Sequence, residues 1–186
     1  MTSFYTETEL RNLGLKKYGK NVLISKKASL YSVGQIELGN DVRIDDFCIL
    51  SGIINIGNYV HIAAYSALYG SDVGIVIKDF ANISSRVSIY SISDDYSGNT
   101  MTNPMIPDEY KNLEKGRVTI EKHVIIGSTS VVLPNVTLAE GSAFGSFSFI
   151  NADSEPWSVN AGIPAQKIKT REKKILDLEK YFNTYI

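Results

Sequence analysis

From Leu38 onward an aliphatic side chain recurs at every sixth position: Leu38, Ile44, Leu50, Ile56, Ile62 and Leu68. After a short interruption the period resumes at Ile77, Ile83 and Ile89, and after a longer one at Ile120, Ile126, Val132, Leu138, Phe144 and Ile150. Upstream, Tyr18, Ile24, Leu30 and Ile36 keep the same spacing, two residues out of phase with Leu38. A small or turn-forming residue often follows, as in Leu38-Gly39, Ile56-Gly57, Ile126-Gly127 and Phe144-Gly145. Four residues on, the side chain is small or β-branched: Val42, Cys48, Val60, Ser66, Ala81, Val87, Val124, Ser130, Val136, Ser142, Ser148. A helix repeats at 3.6 and a flat strand at 2. Period six describes a chain that turns a corner every six residues, three segments to a coil. The fold expected is an all-β repeat, a parallel β-helix with its aliphatic residues inside the prism. Periodicity does not fix its hand.

The ends break the period. Residues 5–13 read as a helix, with Thr6 and Glu9 as a capping box and Leu10 and Leu13 as its apolar face. Residues 171–183 read as a second helix, with Ile175, Leu178 and Phe182 on one face. Both are expected to cover open ends of the stack, where strand edges would otherwise be unpaired. The β-helix itself is assigned to 18–169, within a single domain spanning 1–186. Segment 91–117, SISDDYSGNTMTNPMIPDEYKNLEKGR, has no such period. A long loop in a compact repeat is the first place to seek a site.

Composition narrows the chemistry. Among 186 residues there are one cysteine and two histidines, so an internal disulfide framework and a Cys-rich zinc site are excluded and no metal site is expected. The net charge of -1 and the absence of a long basic run argue against nucleic acid as a partner. No apolar run reaches the roughly 18 residues of a membrane span, and the N-terminus has no signal-peptide core, so the chain reads as cytoplasmic. Without a secretion signal, the sequons Asn82-Ile-Ser84 and Asn135-Val-Thr137 carry no weight. Cys48 falls at an inward small-residue position and reads as core. His123, at an outward position, reads as solvent-facing. Trp157 reads as packing at the last coil.

The hexapeptide runs over 18–169, the stretch IGSTSVVLPNVTLAEGSAFGSFSFI at 126–150 and the turn AGIPAQKI at 161–168 resemble the left-handed β-helix acyltransferases. The likeness is to the maltose, galactoside and polysaccharide O-acetyltransferases. The resemblance implies a homotrimer, acetyl-CoA as co-substrate bound between subunits, and a sugar acceptor. It implies donor-side roles for Ser128, Gly145, Ser146 and Asn151, where glycine permits close backbone approach. Lys167, with Lys169, is a candidate cation for the CoA phosphates. It also places loop 91–117 where relatives carry their extended active-site loop.

One position departs from the pattern. The general-base histidine of the family falls at Asp94 here, followed by Asp95. Three readings stay open. His61, at a coil corner near Ala63 and Tyr65 on the expected acceptor side, serves as base with a carboxylate partner, since free histidine near 6.5 suits that task. Alternatively Asp94 is the base, although a free carboxylate near 3.9 is weaker and needs burial or a second acid such as Asp95 or Asp108. Set against this base role, and preferred to it, is a turn at Asp94-Asp95 whose carboxylates also accept sugar hydroxyls; Asp95 and Tyr65 are the acceptor-binding candidates. In the third, the chain is a non-catalytic trimeric scaffold. The main expectation is O-acetylation of a sugar hydroxyl. The alternative is N-acylation of a sugar amine, which can lose its proton after attack and so tolerates the missing histidine.

Overall fold

A computed structural model describes residues 3–184. Short parallel strands stack into about seven coils. On one face Leu23–Ile24, Arg43–Ile44, His61–Ile62, Asn82–Ile83, Ile125–Ile126, Ala143–Phe144 and Ser158–Ala161 pair in that order. A second face runs Ser29–Tyr31, Ile49–Leu50, Ala67–Leu68, Ser88–Ile89, Val131–Val132 and Phe149–Ile150. A third carries Ile36–Leu38, Ile54–Ile56, Ile75–Ile77, Val118–Ile120 and Thr137–Leu138. Two long strands, Ile49–Ile56 and Ala67–Ile77, bend from the second face to the third, with register irregularities between Ser51 and Ile54.

The six-residue period becomes the core because each coil puts one aliphatic side chain per face inside. Ile24, Ile44, Ile62, Ile83 and Ile126 stack along the first face, and Leu50, Leu68, Ile89 and Val132 along the second, all buried. The small inward positions fit the tight corners, and three of their hydroxyls close on backbone carbonyls. Ser66 donates to Ser84 O at 2.9 Å, Ser130 to Gly127 O at 2.7 Å and Ser148 to Gly145 O at 2.6 Å. Backbone polar groups turned toward the prism are thereby satisfied. The phase shift upstream of Leu38 has a local cause: after a 3₁₀ turn at Val33–Gln35, strand Ile36–Leu38 buries both Ile36 and Leu38.

The first helix, α1, spans Glu7–Asn12. Thr6 Oγ1 accepts from Glu9 N at 3.3 Å, and Glu9 Oε2 accepts from Thr6 N at 2.7 Å, so the capping box forms as read. Leu10 packs into the core at the first coil. The second helix, α2, spans Ile175–Phe182, and it departs from expectation. It does not cover the open end. Gln166–Thr170 pairs antiparallel with Ser158–Ala161 and takes that sheet edge instead. Arg171 then donates to His123 O at 2.8 Å and Gly141 O at 2.9 Å, which turns the chain back along the flank of the stack. Along that flank α2 runs from Trp157, over which Lys173 lies at 5.7 Å, to Tyr59, against which Phe182 packs edge-on at 5.0 Å. Loop 91–117 is not structureless: Ile92–Ser93 pairs antiparallel with Glu114–Lys115, and a 3₁₀ turn forms at Asp108–Tyr110. No helix among the described residues is long and apolar enough to cross a membrane.

Candidate active site

Three groups of polar side chains line the outside of the coils. The first lies on the face that carries His61. Parallel register sets Arg43, His61 and Asn82 side by side on successive coils. Asp45, two residues after Arg43, joins them: His61 Nε2 lies 2.8 Å from Asp45 Oδ2, and Arg43 Nε donates to Asp45 Oδ1 at 2.7 Å. Burial pushes the Asp45 carboxyl up, but the hydrogen bonds from His61 and Arg43 outweigh it and hold the group below its usual range. His61 thus has a carboxylate partner, from its own chain and the preceding coil. Among the described residues, no hydrogen bond or ion pair joins it to Asp94 or Asp95.

At the end of the same face, Ala63 N donates to Ile83 O at 2.9 Å and Ser84 N to Ile126 O at 3.0 Å, which sets Ser84 beside Ala63 on the next coil. Sequence reading passed over Ser84. Its only signal was the serine pair Ser84-Ser85 immediately after a core position. Tyr65 occupies the corner beyond, in the left-handed region at φ 64°, exposed and stacked on Phe47 with ring centres 4.9 Å apart.

The second group lies under loop 91–117. A cavity of about 560 Å³ is lined by Tyr69, Tyr90, Asp94, Tyr96, Lys111 and Phe149 among others. Tyr69 and Tyr90 stack at 5.0 Å and form one wall; both directly follow a core position in adjacent coils. Asp94 is half-buried, with Asn103 N 3.4 Å from its Oδ1. Its neighbour behaves differently. Asp95 accepts from Ser97 N at 2.8 Å and Thr100 Oγ1 at 2.9 Å, and these hydrogen bonds hold its carboxyl below the usual range. Asp95 closes the turn and is not part of the cavity lining. Asp108 is 96% exposed, paired with Lys111 at 2.9 Å, and does not line the cavity.

The third group follows the later coils. Ser128 Oγ lies 3.4 Å from Ser85 Oγ. Gly145 N donates to Asn160 O at 2.8 Å, so its backbone is committed to the sheet, and Ser146 beyond it is exposed. Asn151 and Lys167 line a smaller cavity of about 190 Å³. Lys167 already has an anion, Glu155, at 2.5 Å.

Of the remaining candidates, Cys48 is fully buried, and burial pushes its thiol up to about 11, as befits a core residue. Trp157 is buried as read. His123 is not solvent-facing as read: it is 3% exposed, stacked on Phe80 at 5.1 Å, with Nε2 2.8 Å from Glu179 Oε2 of α2. The position is outward in the repeat, but α2 covers it.

No protein-family model matches the chain. The chain is 51% identical over 183 residues to the dTDP-4-amino-4,6-dideoxy-D-glucose acyltransferase of Escherichia coli, covering 97% of this chain and 95% of that one. Over the full length of both chains it superposes on AntD, an N-acyltransferase from Bacillus cereus, at 52% identity and a TM-score of 0.99. That structure is of the S84A mutant with dTDP-4-amino-4,6-dideoxyglucose and coenzyme A; another is of the D94A mutant with dTDP and coenzyme A. A hexapeptide-repeat acetyltransferase from Vibrio cholerae, 18% identical, shares the fold at a TM-score of 0.64 over 90% of this chain and 79% of its own. The coil is accordingly the left-handed β-helix. By its repeat, its fold and its identity along nearly the whole length, the chain belongs to the hexapeptide-repeat acyltransferase family.

Proposed function

We propose that the chain transfers an acyl group from acyl-CoA to the amine of a dTDP-linked 4-amino-4,6-dideoxyhexose. The hydroxyl acceptor first expected from the sequence gives way to its alternative, the sugar amine. The observation that carries this reading is Asp94, half-buried in the cavity under loop 91–117 where relatives acting on hydroxyls are expected to hold histidine. Its support is the amino sugar nucleotide for which the E. coli relative is named and with which an AntD mutant has been crystallised. The donor is an acyl-CoA in the broad sense, as AntD has been crystallised with 3-hydroxybutyryl-CoA.

The chemistry follows from the nucleophile. A hydroxyl must give up its proton as it attacks, which calls for a base matched to neutral pH. An amine attacks with its lone pair. The N–C bond forms, the carbonyl oxygen takes the negative charge, and the ammonium proton leaves afterwards. The C–S bond then breaks and the thiolate of CoA departs. A carboxylate suffices to orient the amine and accept its proton. Asp94 has that role in this reading, and Ser84 lines the acceptor side with Tyr65 and the His61–Asp45 pair. AntD mutants at 84 and 94 have been crystallised, and this chain holds serine and aspartate at those numbers. Asp94 lines the loop cavity and Ser84 does not, which supports a site completed by a second copy in a homotrimer. Ser128, Gly145, Ser146 and Asn151 form the donor side. Lys167 reaches a CoA phosphate only by leaving Glu155.

The test is steady-state release of free CoA with an amino sugar nucleotide and with its hydroxyl counterpart. The amine is turned over and the hydroxyl is not. Asp94→Asn lowers kcat by about 10²-fold or more, the usual scale for loss of a proton acceptor. Comparable turnover of the hydroxyl sugar, or an Asp94→Asn variant of full activity, sinks the reading.

A further inference from the structure

We infer that Arg86, seated on the ring of Tyr65 beside the hydroxyls of Ser85, Ser128 and Thr129, anchors the diphosphate of a bound substrate. The position belongs to a corner column with one residue from each successive coil: Lys27, Phe47, Tyr65, Arg86, Thr129 and Phe147. Backbone hydrogen bonds hold its spacing, from Tyr65 N to Asp46 O at 3.1 Å, Arg86 N to Ala64 O at 3.1 Å, Thr129 N to Ser85 O at 3.0 Å and Phe147 N to Ser128 O at 2.9 Å. Two cations bracket the two stacked rings. Lys27 lies 5.4 Å from the centre of Phe47, and Arg86 lies 5.6 Å from the centre of Tyr65.

The two cations differ in one respect. Lys27 is neutralised by Asp46 at 2.9 Å. Arg86 is exposed and makes no ion pair among the described residues. Its backbone is left-handed at φ 60°, where an arginine has no conformational advantage over glycine or asparagine. Its guanidinium nevertheless lies over a ring that is itself stacked on Phe47. A guanidinium placed over a ring, with no carboxylate on its N–H groups among the described residues, has a fork free to match two phosphate oxygens at once. Hydroxyl donors stand on the neighbouring corner, with Ser85 Oγ and Ser128 Oγ 3.4 Å apart and Thr129 exposed beside them. Ser84, assigned above to the acceptor side, is two residues away.

Diphosphate is the shared chemistry of both proposed substrates, the nucleotide sugar and CoA. The inference rests on the proposed reaction only for the identity of these two ligands. The test is calorimetric titration of the full-length protein with dTDP and, separately, with CoA, for wild type, Arg86→Gln and Arg86→Lys. Sedimentation and thermal melting of each variant run alongside. Arg86→Gln weakens one of the two ligands by roughly tenfold to a hundredfold, the scale of a lost charge-assisted hydrogen-bond pair, and the affected ligand names the source. Arg86→Lys falls between, because it keeps the charge and loses the fork. Both ligands binding Arg86→Gln as tightly as wild type overturns the inference, as does a change in assembly with affinities intact. A wild type that binds neither dTDP nor CoA overturns the proposed reaction as well, so the two failures are distinguishable.

Discussion

Two corner columns of the β-helix share one backbone conformation and have opposite surroundings. Tyr59, Phe80, His123 and Trp157 occupy one, with φ values of 56°, 60°, 60° and 54°. Phe47, Tyr65, Arg86, Thr129 and Phe147 occupy the other, at 60°, 64°, 60°, 62° and 60°. Both stack aromatic rings about as closely, Tyr59 on Phe80 at 5.1 Å and Phe47 on Tyr65 at 4.9 Å. The first column is closed. Phe182 of α2 packs edge-on against Tyr59 and Phe80, and Glu179 bonds His123. The second is open, with Phe47, Tyr65 and Phe147 each about half exposed, at 47%, 55% and 64%. The repeat builds both columns alike. The cover decides which one holds the molecule together and which one is left to meet a ligand or a second subunit.

The largest expected effect lies in the closed column at Gly141. A Cβ there would come within 2.5 Å of the Trp157 ring, and the backbone is left-handed at φ 68°. Gly141→Val is expected to cost about 3 kcal/mol through overpacking and strain, visible as a lowered melting midpoint. A melt within a degree of wild type would mean that the column is not closed over this residue.

Next comes the bond that ties α2 down. Burial pushes the Glu179 carboxyl up, but hydrogen bonds from Lys122 and His123 outweigh it and hold the group below its usual 4.5. With the folded value below the unfolded one, the stabilisation is fully present above that unfolded value. It is lost as pH falls through the lower, folded value. Glu179→Gln is expected to cost about 1 kcal/mol at neutral pH and to flatten the acid limb of stability. The single tryptophan, Trp157, near His123 at 6.3 Å between ring centres, reports the change by its fluorescence. An acid limb identical to wild type would break the link between Glu179 and the closed column.

The smallest effect belongs to the open column. Phe47→Leu is expected to change stability by less than about 0.5 kcal/mol in thermal melting, as for exposed sites in general. A loss comparable to that of Gly141→Val would show that the open column is covered after all.

The fold was legible because its signal is local. Each coil needs one aliphatic residue per face, and Leu38, Ile44, Leu50 and Ile56 declare it at six-residue spacing. The capping box of α1 was legible for the same reason, since Thr6 and Glu9 are three residues apart. The departure at Asp94 was also visible, because the register locates the position and the residue there can be read directly. His123 was misread because its burial depends on a helix 56 residues later in the chain, at Glu179. Ser84 carried almost no signal: an outward serine matters only through what lies across from it. The cavity wall of Tyr69 and Tyr90 needed the loop above it before it had meaning.

The sequence by itself determined the coil, its inward residues and the absence of an imidazole at the loop, because these follow from spacing and identity along the chain. The tertiary structure alone decided that α2 lies along one flank, that Asp95 closes a turn while Asp94 lines the cavity, and that Arg86 lies over Tyr65 with no counter-ion among the described residues. Those outcomes depend on which elements meet across tens of residues, and a six-residue repeat presents the same corner to every possible neighbour.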